Sequence, residues 1–173
     1  MSTWLVECPH CGYVAGRLEN KLEVSKDFLK TEEYLTCEGN EFVSGLSKRF
    51  YRHYMISKKE HDSGSEFLSL LHCAWTCDDS ADSLALKMRE MALKSIDKII
   101  PESEKEKENL KLIKADLLRR TCQFDRLISE FKDVIHENLL FNDIITFQIE
   151  LAMAKNSDCY TIEDVIKNKE EQV

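Results

Sequence analysis

The sequence has few of the residues that interrupt regular structure and no long apolar run. Only five glycines and two prolines occur in 173 residues, which is few for an all-β protein that needs many tight turns. No apolar stretch approaches the roughly 20 residues that a membrane-spanning helix requires. The N-terminus also lacks the charged and apolar regions of a secretory signal. This composition predicts a helical protein of the cytoplasm, with no membrane partner.

An excess of basic residues is also absent, because the formal net charge is −8. A protein that binds the phosphate backbone needs a basic face. The densest basic stretch, residues 48–53, mixes cations with aromatic residues. That spacing is typical of a helix whose aromatic side chains face inward and whose cations face water. We therefore do not expect a nucleic-acid partner.

Motifs that carry catalysis are missing from the sequence. The histidines are scattered, and there is no HExxH, serine-centred or glycine-rich phosphate motif. Asp78 and Asp79 come closest to an acid–base pair, but acidic residues between helices usually cap the next helix. Arg119 and Arg120 are expected to pair with acidic residues on the surface. We predict that the protein is not an enzyme and has no catalytic residues.

From about Val24 onward, apolar residues recur at helical spacing. A first short helix is predicted over residues 25–35, and longer ones follow to the end of the chain. Residue pairs three apart indicate capping boxes at three helix starts. These pairs are Ser63 with Glu66, Ser103 with Glu106, and Thr161 with Asp164.

Short connections between the predicted helices indicate antiparallel helical hairpins. The hairpin of residues 67–79 and 82–99 resembles that of residues 110–122 and 124–134, with Ala74 aligned to Ala115. Repeated hairpins of this kind predict tetratricopeptide-like stacking, although the period is about 41 residues. An irregular helical bundle explains the same pattern almost as well. We predict an all-α fold made of residues 24–173.

Residues 1–23 form a separate segment in this prediction, a small cysteine knuckle flanked by short strands at residues 4–7 and 13–15. Cys8 and Cys11 are the only CxxC pair. Two thiolates at this spacing can chelate Zn²⁺ and make up half of a zinc ribbon. A structural site needs four ligands, and Cys37 is the candidate third. Zinc is therefore the one cofactor that the sequence suggests.

The other cysteines do not indicate a further functional site, and neither does a second interpretation of the CxxC pair as a redox motif. Cys73 and Cys77 lie near or on a core-facing helix, where cysteine usually serves as a small apolar residue. Cys-Pro-His-Cys also occurs in thiol-disulfide oxidoreductases, but the parallel strands of that fold have no counterpart here. With no secretory signal and an odd count of seven cysteines, a disulfide framework is not expected.

Several stretches resemble an uncharacterised bacterial family described as a domain of unknown function. The resemblance is carried by residues 1–15 (MSTWLVECPHCGYVA), 71–79 (LHCAWTCDD), 113–120 (IKADLLRR), and 147–152 with 159–161. It implies a zinc-ribbon-like segment followed by a tetratricopeptide-like helical region, and it implies no activity. Relatives carry an earlier CxxC that would complete the ribbon with Cys8 and Cys11. This chain lacks that earlier CxxC, which implies either a start upstream of Met1 or loss of the metal in this member.

Two hypotheses of function follow from these features. The first is a non-enzymatic scaffold of helical hairpins whose concave face holds a protein or peptide partner. The second is a zinc-binding module, regulatory or linked to nucleic acid, built on Cys8 and Cys11. The sequence identifies neither the partner nor the oligomeric state.

Overall fold

The computed structural model describes residues 5–19 and 24–171, and these residues are mostly helical. The elements are β1 (Val6–Glu7), β2 (Val14–Ala15), a 3₁₀ turn (Phe28–Lys30), α1 (Glu32–Leu35), α2 (Gly45–Glu60), α3 (Ser63–Asp79), α4 (Leu84–Ile96), α5 (Glu104–Arg120), α6 (Phe124–Phe131), α7 (Leu139–Met153) and α8 (Ile162–Glu171). The predicted all-α class is therefore confirmed for the described residues. Within them, no helix combines the length and apolar character needed to cross a membrane.

The chain divides into two compact units, Met1–Ile99 and Ile100–Val173. Each unit has buried apolar side chains of its own, such as Leu70 and Met88 in the first and Leu118 and Phe141 in the second. The predicted boundary between residues 1–23 and 24–173 falls beside residues 20–23, which lie outside the described residues. By compactness, the cysteine segment groups with the helices up to Ile99.

In the first unit, α2 and α3 pack antiparallel. The His53 ring nitrogen Nδ1 lies 2.7 Å from the Ser69 hydroxyl, and the rings of Phe50 and His72 are 5.2 Å apart. Residues later in α2 therefore contact residues earlier in α3, which is the antiparallel arrangement that the short connection between the helices requires.

Helix α4 packs against the same helix α3, again antiparallel. The Ser95 hydroxyl donates to the Glu66 carboxylate over 3.1 Å, while Arg89 forms an ion pair with Asp78 at the other end of α3. Since α3 is the centre of both pairs, its residues Phe67, Leu70 and Ala74 are almost fully buried. These three residues recur at helical spacing and so share one face of α3.

In the second unit, α7 is the helix that contacts all the others. Lys114 of α5 pairs with Glu130 of α6 over 3.1 Å, and Asp143 of α7 pairs with Lys169 of α8 over 2.7 Å. Phe131, Phe141 and other apolar side chains fill the space between these helices.

Among the described residues, five helices end in the same backbone turn, with a non-glycine residue in the left-handed conformation. These residues are Cys37 (φ 53°), His61 (φ 59°), Ala81 (φ 51°), Cys122 (φ 57°) and Lys155 (φ 53°). In each case the next N–H donates over 2.8 to 3.0 Å to the carbonyl five residues back, as in a Schellman motif. Ala81 and Cys122 are also 41 residues apart, as are Ala74 and Ala115, and both of those alanines are fully buried. The two turns are therefore alike locally, while tetratricopeptide-like stacking stays a prediction.

The predicted helix over residues 25–35 is interrupted, and its capping explains why. Thr31 is extended (ψ 146°), and its side chain accepts the Tyr34 N–H, so the 3₁₀ turn ends and α1 begins at this residue.

The predicted cap Ser63 is wrong: the Asp62 carboxylate accepts the Ser65 N–H over 3.0 Å. Thr161 and Asp164 do form the reciprocal capping box, since each backbone N–H donates to the other side chain.

Candidate functional site

The Cys8–Cys11 pair sits in the turn of a small hairpin. Strands β1 and β2 pair antiparallel, with Glu7 opposite Val14. The Cys8 N–H donates to the Tyr13 carbonyl over 2.8 Å, and the Gly12 N–H donates to the Cys8 carbonyl over 2.9 Å. Gly12 has φ +70°, a conformation that glycine adopts without the steric cost that other residues incur. The sequence Cys-Gly therefore closes a tight turn directly after the second thiol.

Within this turn, backbone groups point at the first sulfur. Hydrogen bonds from the backbone N–H groups of His10 and Cys11 lower the pKa of the Cys8 thiol, and the Cys11 side chain adds to the effect. Cys11 is exposed and Cys8 is partly exposed. Two solvent-accessible thiols, one of them with a lowered pKa, are the kind of donor that Zn²⁺ prefers. The donor set fits half of a tetrahedral site.

The hairpin is fastened to the helices by two side chains, which we call the latch: Tyr34 and Arg52. The Tyr34 hydroxyl donates to the Gly12 carbonyl over 2.6 Å. Arg52 forms an ion pair with Glu7, donates to the Leu35 carbonyl over 3.2 Å, and lies over the Tyr34 ring with its guanidinium carbon 5.2 Å from the centroid. Both latch residues are buried.

Cys37, the candidate third ligand, is fully buried. Burial raises the pKa of its thiol, which disfavours the thiolate that a metal needs. Among residues 5–19 and 24–171, no three His, Cys, Asp or Glu side chains gather in a group that could hold a metal ion. The described structure thus does not bring Cys37 together with Cys8 and Cys11 in such a group.

A cavity of about 410 Å³ opens beside the second thiol. Its lining includes Cys11, Glu7, Arg52, Lys26 and Lys30. Cys11 therefore borders a recess in the first unit.

The buried cysteines of α3 belong to the core, as predicted. Cys73 and Cys77 are both fully buried, and the Cys73 thiol donates to the Ser47 carbonyl over 3.3 Å. Its hydrogen bond to Cys77 and burial together raise the pKa of Cys73. These thiols pack and bond within the helical pair and are shielded from solvent.

Asp78 and Asp79 do not cap α4, contrary to the prediction. Both lie inside α3, and Asp78 pairs with the buried Arg89. The carboxylate that satisfies the start of α4 is Asp82, which accepts the Leu84 N–H over 3.0 Å. Its other oxygen accepts the Val43 N–H over 2.9 Å. Sequence reasoning missed Asp82 at the start of α4, although its contact with Leu84 is local. Only the contact with Val43 depends on a residue distant in sequence.

Arg119 is not a surface residue, although the sequence predicted that it pairs with acidic residues on the surface. Its side chain is fully buried, and it bonds Asp116 over 3.0 Å and Gln148. It also donates to the carbonyls of Asn156 and Asp158 over 3.2 and 2.7 Å. A guanidinium with this many partners is a structural joint between α5 and the chain after α7. No signal in the local sequence separates it from Arg120.

Sequence reasoning also missed a stripe on α3 that we call the Trp75 stripe: the exposed Leu68 and Trp75 with the half-buried His72 between them. Leu68 is 47% exposed and Trp75 is 43% exposed. The rings of His72 and Trp75 are 5.1 Å apart. Residues seven apart share a helix face, so spacing places Leu68 and Trp75 together, but their exposure depends on which faces α2 and α4 cover.

A second cavity, of about 530 Å³, lies in the first unit near the turn between α2 and α3. Its lining contains three lysines and three glutamates. Lys98 pairs with Glu66 over 2.9 Å and Lys58 with Glu38 over 3.8 Å. Because the opposite charges balance, the lining favours neither an anion nor a cation.

Comparison with protein-family models, with curated proteins and with solved structures gives no match for this chain. The resemblance to an uncharacterised bacterial family therefore stays a prediction, carried by the residues quoted for it.

Proposed function

We propose that this chain is a non-enzymatic interaction scaffold of helical hairpins that binds a protein or peptide partner. The observation that carries the proposal is the Trp75 stripe, an aromatic and an aliphatic side chain exposed on one face of a central helix. Single exposed apolar residues are common on any surface. Tryptophan next to further apolar area, however, is the kind of group that dominates binding energy at protein interfaces.

A crosslinking experiment tests this scaffold proposal. A photoreactive amino acid is placed at Ser65, one turn before Leu68, and proteins crosslinked in the native host are compared between variants. Trp75→Ala should remove the specific crosslinks, since losing a central anchor costs about 2 kcal/mol or more of binding free energy. The matched control is Leu86→Ala on α4, because Leu86 is also exposed, at 48%. Identical crosslinks in both variants would contradict the proposal.

A second candidate function is zinc binding at the cysteine knuckle, in a regulatory or nucleic-acid-linked role. The tight hairpin turn favours it, since the turn holds both thiols close in sequence and its backbone N–H groups lower the pKa of the Cys8 thiol. Cys8 and Cys11 would supply two ligands. Zinc bound there would act as a structural clamp on the hairpin, and the remaining ligands would have to come from groups outside the pair.

Metal analysis separates the two candidates. The full chain is purified under reducing conditions without chelators, and its zinc content is measured alongside that of Cys11→Ser. The zinc proposal expects at least about half an equivalent in the wild type and a clear loss in the variant. The matched control is Cys159→Ser, which changes another exposed thiol. Equal zinc in all three proteins would contradict the assignment of Cys8 and Cys11.

A further inference from the structure

The recess of about 410 Å³ in the first unit carries more positive than negative charge. Its lining contains three cations, Lys26, Lys30 and Arg52, and, among the described residues, one carboxylate, that of Glu7. With the histidine and the cysteine of the lining counted as neutral, the formal charge is positive by two. The excess is local, because the whole chain has a net charge of −8. A small anion is therefore attracted to this recess although the protein as a whole repels it.

Arg52 is the buried cation of the lining, with a side chain that is only 8% exposed. A guanidinium has five N–H donors. The described residues offer Arg52 two oxygen acceptors, the Glu7 carboxylate and the Leu35 carbonyl, and its Nε–H has no hydrogen-bond partner among them. A buried guanidinium with unused donors favours a further acceptor, and the oxygens of a phosphate or carboxylate match its planar geometry.

The two lysines lie at the exposed side of the chain. Lys26 is exposed, and Lys30 lies 3.7 Å from Asp27 in a pair whose side chains are 77% and 96% exposed. An exposed pair of this kind contributes little to stability. Because the lysine stem is long and flexible, both ammonium groups can move onto an anion in the recess at small cost.

The recess also has apolar side chains in its lining. Leu29 is buried and Leu35 is 49% exposed, and both border the recess. Covering the exposed part of Leu35 would remove apolar surface from water, which is favourable. The volume of about 410 Å³ lies in the range of small-molecule sites, about 300–1,000 Å³. A ligand that suits this lining combines an anionic group with an apolar body.

We propose that this recess binds the phosphate monoester of a small organic molecule. The phosphate contacts Arg52, Lys26 and Lys30, and the organic group packs against Leu29 and Leu35. A phosphate monoester carries a charge of about −1.5 to −2 at pH 7, which matches the excess of two in the lining, whereas a single carboxylate carries half as much. The site is separate from the Trp75 stripe and involves no metal.

The test is a titration of the isotope-labelled full chain with phenyl phosphate, followed by NMR chemical shifts. We expect a dissociation constant of about 1 mM or lower, as is usual for a ligand of this size, with the largest shifts at residues 10–12 and 26–30. Inorganic phosphate lacks the ring and should bind about tenfold more weakly. Benzoate has the ring with one charge and should bind about fivefold more weakly. Absence of saturable phenyl phosphate binding, or equal affinity for either of the other two anions, overturns the proposal.

Variants of the lysines locate the site. Lys26→Gln combined with Lys30→Gln should raise the dissociation constant of phenyl phosphate about tenfold. Both side chains are exposed, so the fold should persist, and unchanged shifts outside the recess verify this. The matched control combines Lys94→Gln with Lys105→Gln, which removes two exposed charges elsewhere and should leave the affinity unchanged. Equal weakening in the two double variants would show an effect of net charge alone and would overturn the proposal.

Discussion

Arg119 shows how much one buried side chain can organise. Its guanidinium has five donors in a fixed plane, and the second unit supplies a carboxylate, an amide and two backbone carbonyls around it. The ring of Tyr160 covers one face, 5.5 Å from the guanidinium carbon. Arg119 thus ties residues 156–160 to α5, alongside the edge-on contact of the Tyr160 ring with Phe147.

We predict that Arg119→Lys destabilises the protein by about 3 kcal/mol, because an ammonium cannot reach all of these acceptors and leaves buried ones unpaired. Urea unfolding measures the free energy. The matched control is Arg126→Lys, which alters an exposed pair with Glu130 and should cost at most about 0.5 kcal/mol. Similar losses in the two variants would show that Arg119 has no special structural role.

His72 is predicted to make the stability of the first unit depend on pH. Its ring lies between those of Phe50 and Trp75, and burial lowers its pKa. The unfolded chain, with a histidine pKa near 6.5, therefore binds a proton more readily than the folded chain. Stability is fully present above about pH 6.5 and falls as the pH drops below that value.

The measurement is the urea midpoint at pH 7.5 and pH 5.5. The decrease on acidification should be smaller in His72→Gln than in the wild type. A matched control is His61→Asn, which removes an exposed imidazole at a residue with φ 59°, a conformation that asparagine also tolerates. If His61→Asn flattens the pH dependence as much as His72→Gln, the prediction is wrong.

At the scale of elements, the helix ends are the most repetitive feature of the chain. Cys37, His61, Ala81, Cys122 and Lys155 adopt a left-handed conformation that costs non-glycine residues about 1 kcal/mol. Glycine is the usual residue at this position. The described part of the chain thus makes five similar turns without the residue best suited to them.

We predict that Lys155→Gly stabilises the second unit by about 0.5–1 kcal/mol, because the left-handed strain disappears. The same substitution at Lys111, inside α5, should destabilise it by about 1 kcal/mol. Thermal unfolding of both variants measures the difference. The decisive result is that the two substitutions change the stability in opposite directions. Destabilisation by Lys155→Gly would contradict the prediction and would mean that the Lys155 side chain makes a stabilising contact.

Helix starts show which capping signals can be read from spacing. The pair Thr161 and Asp164 satisfies both backbone N–H groups, and Ser103 accepts the Glu106 N–H over 3.2 Å. At α3 the same spacing is misleading, since Glu66 turns inward to Ser95 and Lys98. The competing partners lie about 30 residues away, and the neighbouring Asp62 takes over the cap.

At the scale of the whole molecule, charge is the property that most limits the choice of partners. The net charge of −8 includes 32 acidic and 24 basic residues. Several cations are already paired with carboxylates, among them Arg52, Arg89 and Lys98. The remaining surface is therefore acidic on balance, which repels polyanions.

We predict that the purified chain does not bind duplex DNA at physiological salt, even at about 100 µM, the weak end of non-specific binding. Fluorescence anisotropy with a labelled 20-base-pair duplex measures this. A repeat at low ionic strength is the control, because an electrostatic contact would strengthen there. Saturable binding that weakens with added salt would favour a nucleic-acid role for the knuckle.

The sequence by itself determined where most helices lie, that Cys73 and Cys77 belong to the core, and that Cys8 and Cys11 share one turn. These features depend on residues within about one or two helical turns of each other, where spacing decides geometry. Only the tertiary structure decided that Arg119 is buried, that Asp82 accepts the Val43 N–H, and that Tyr34 and Arg52 reach the hairpin. Each of these depends on a partner distant in sequence, and packing of the helices, not local periodicity, chooses that partner.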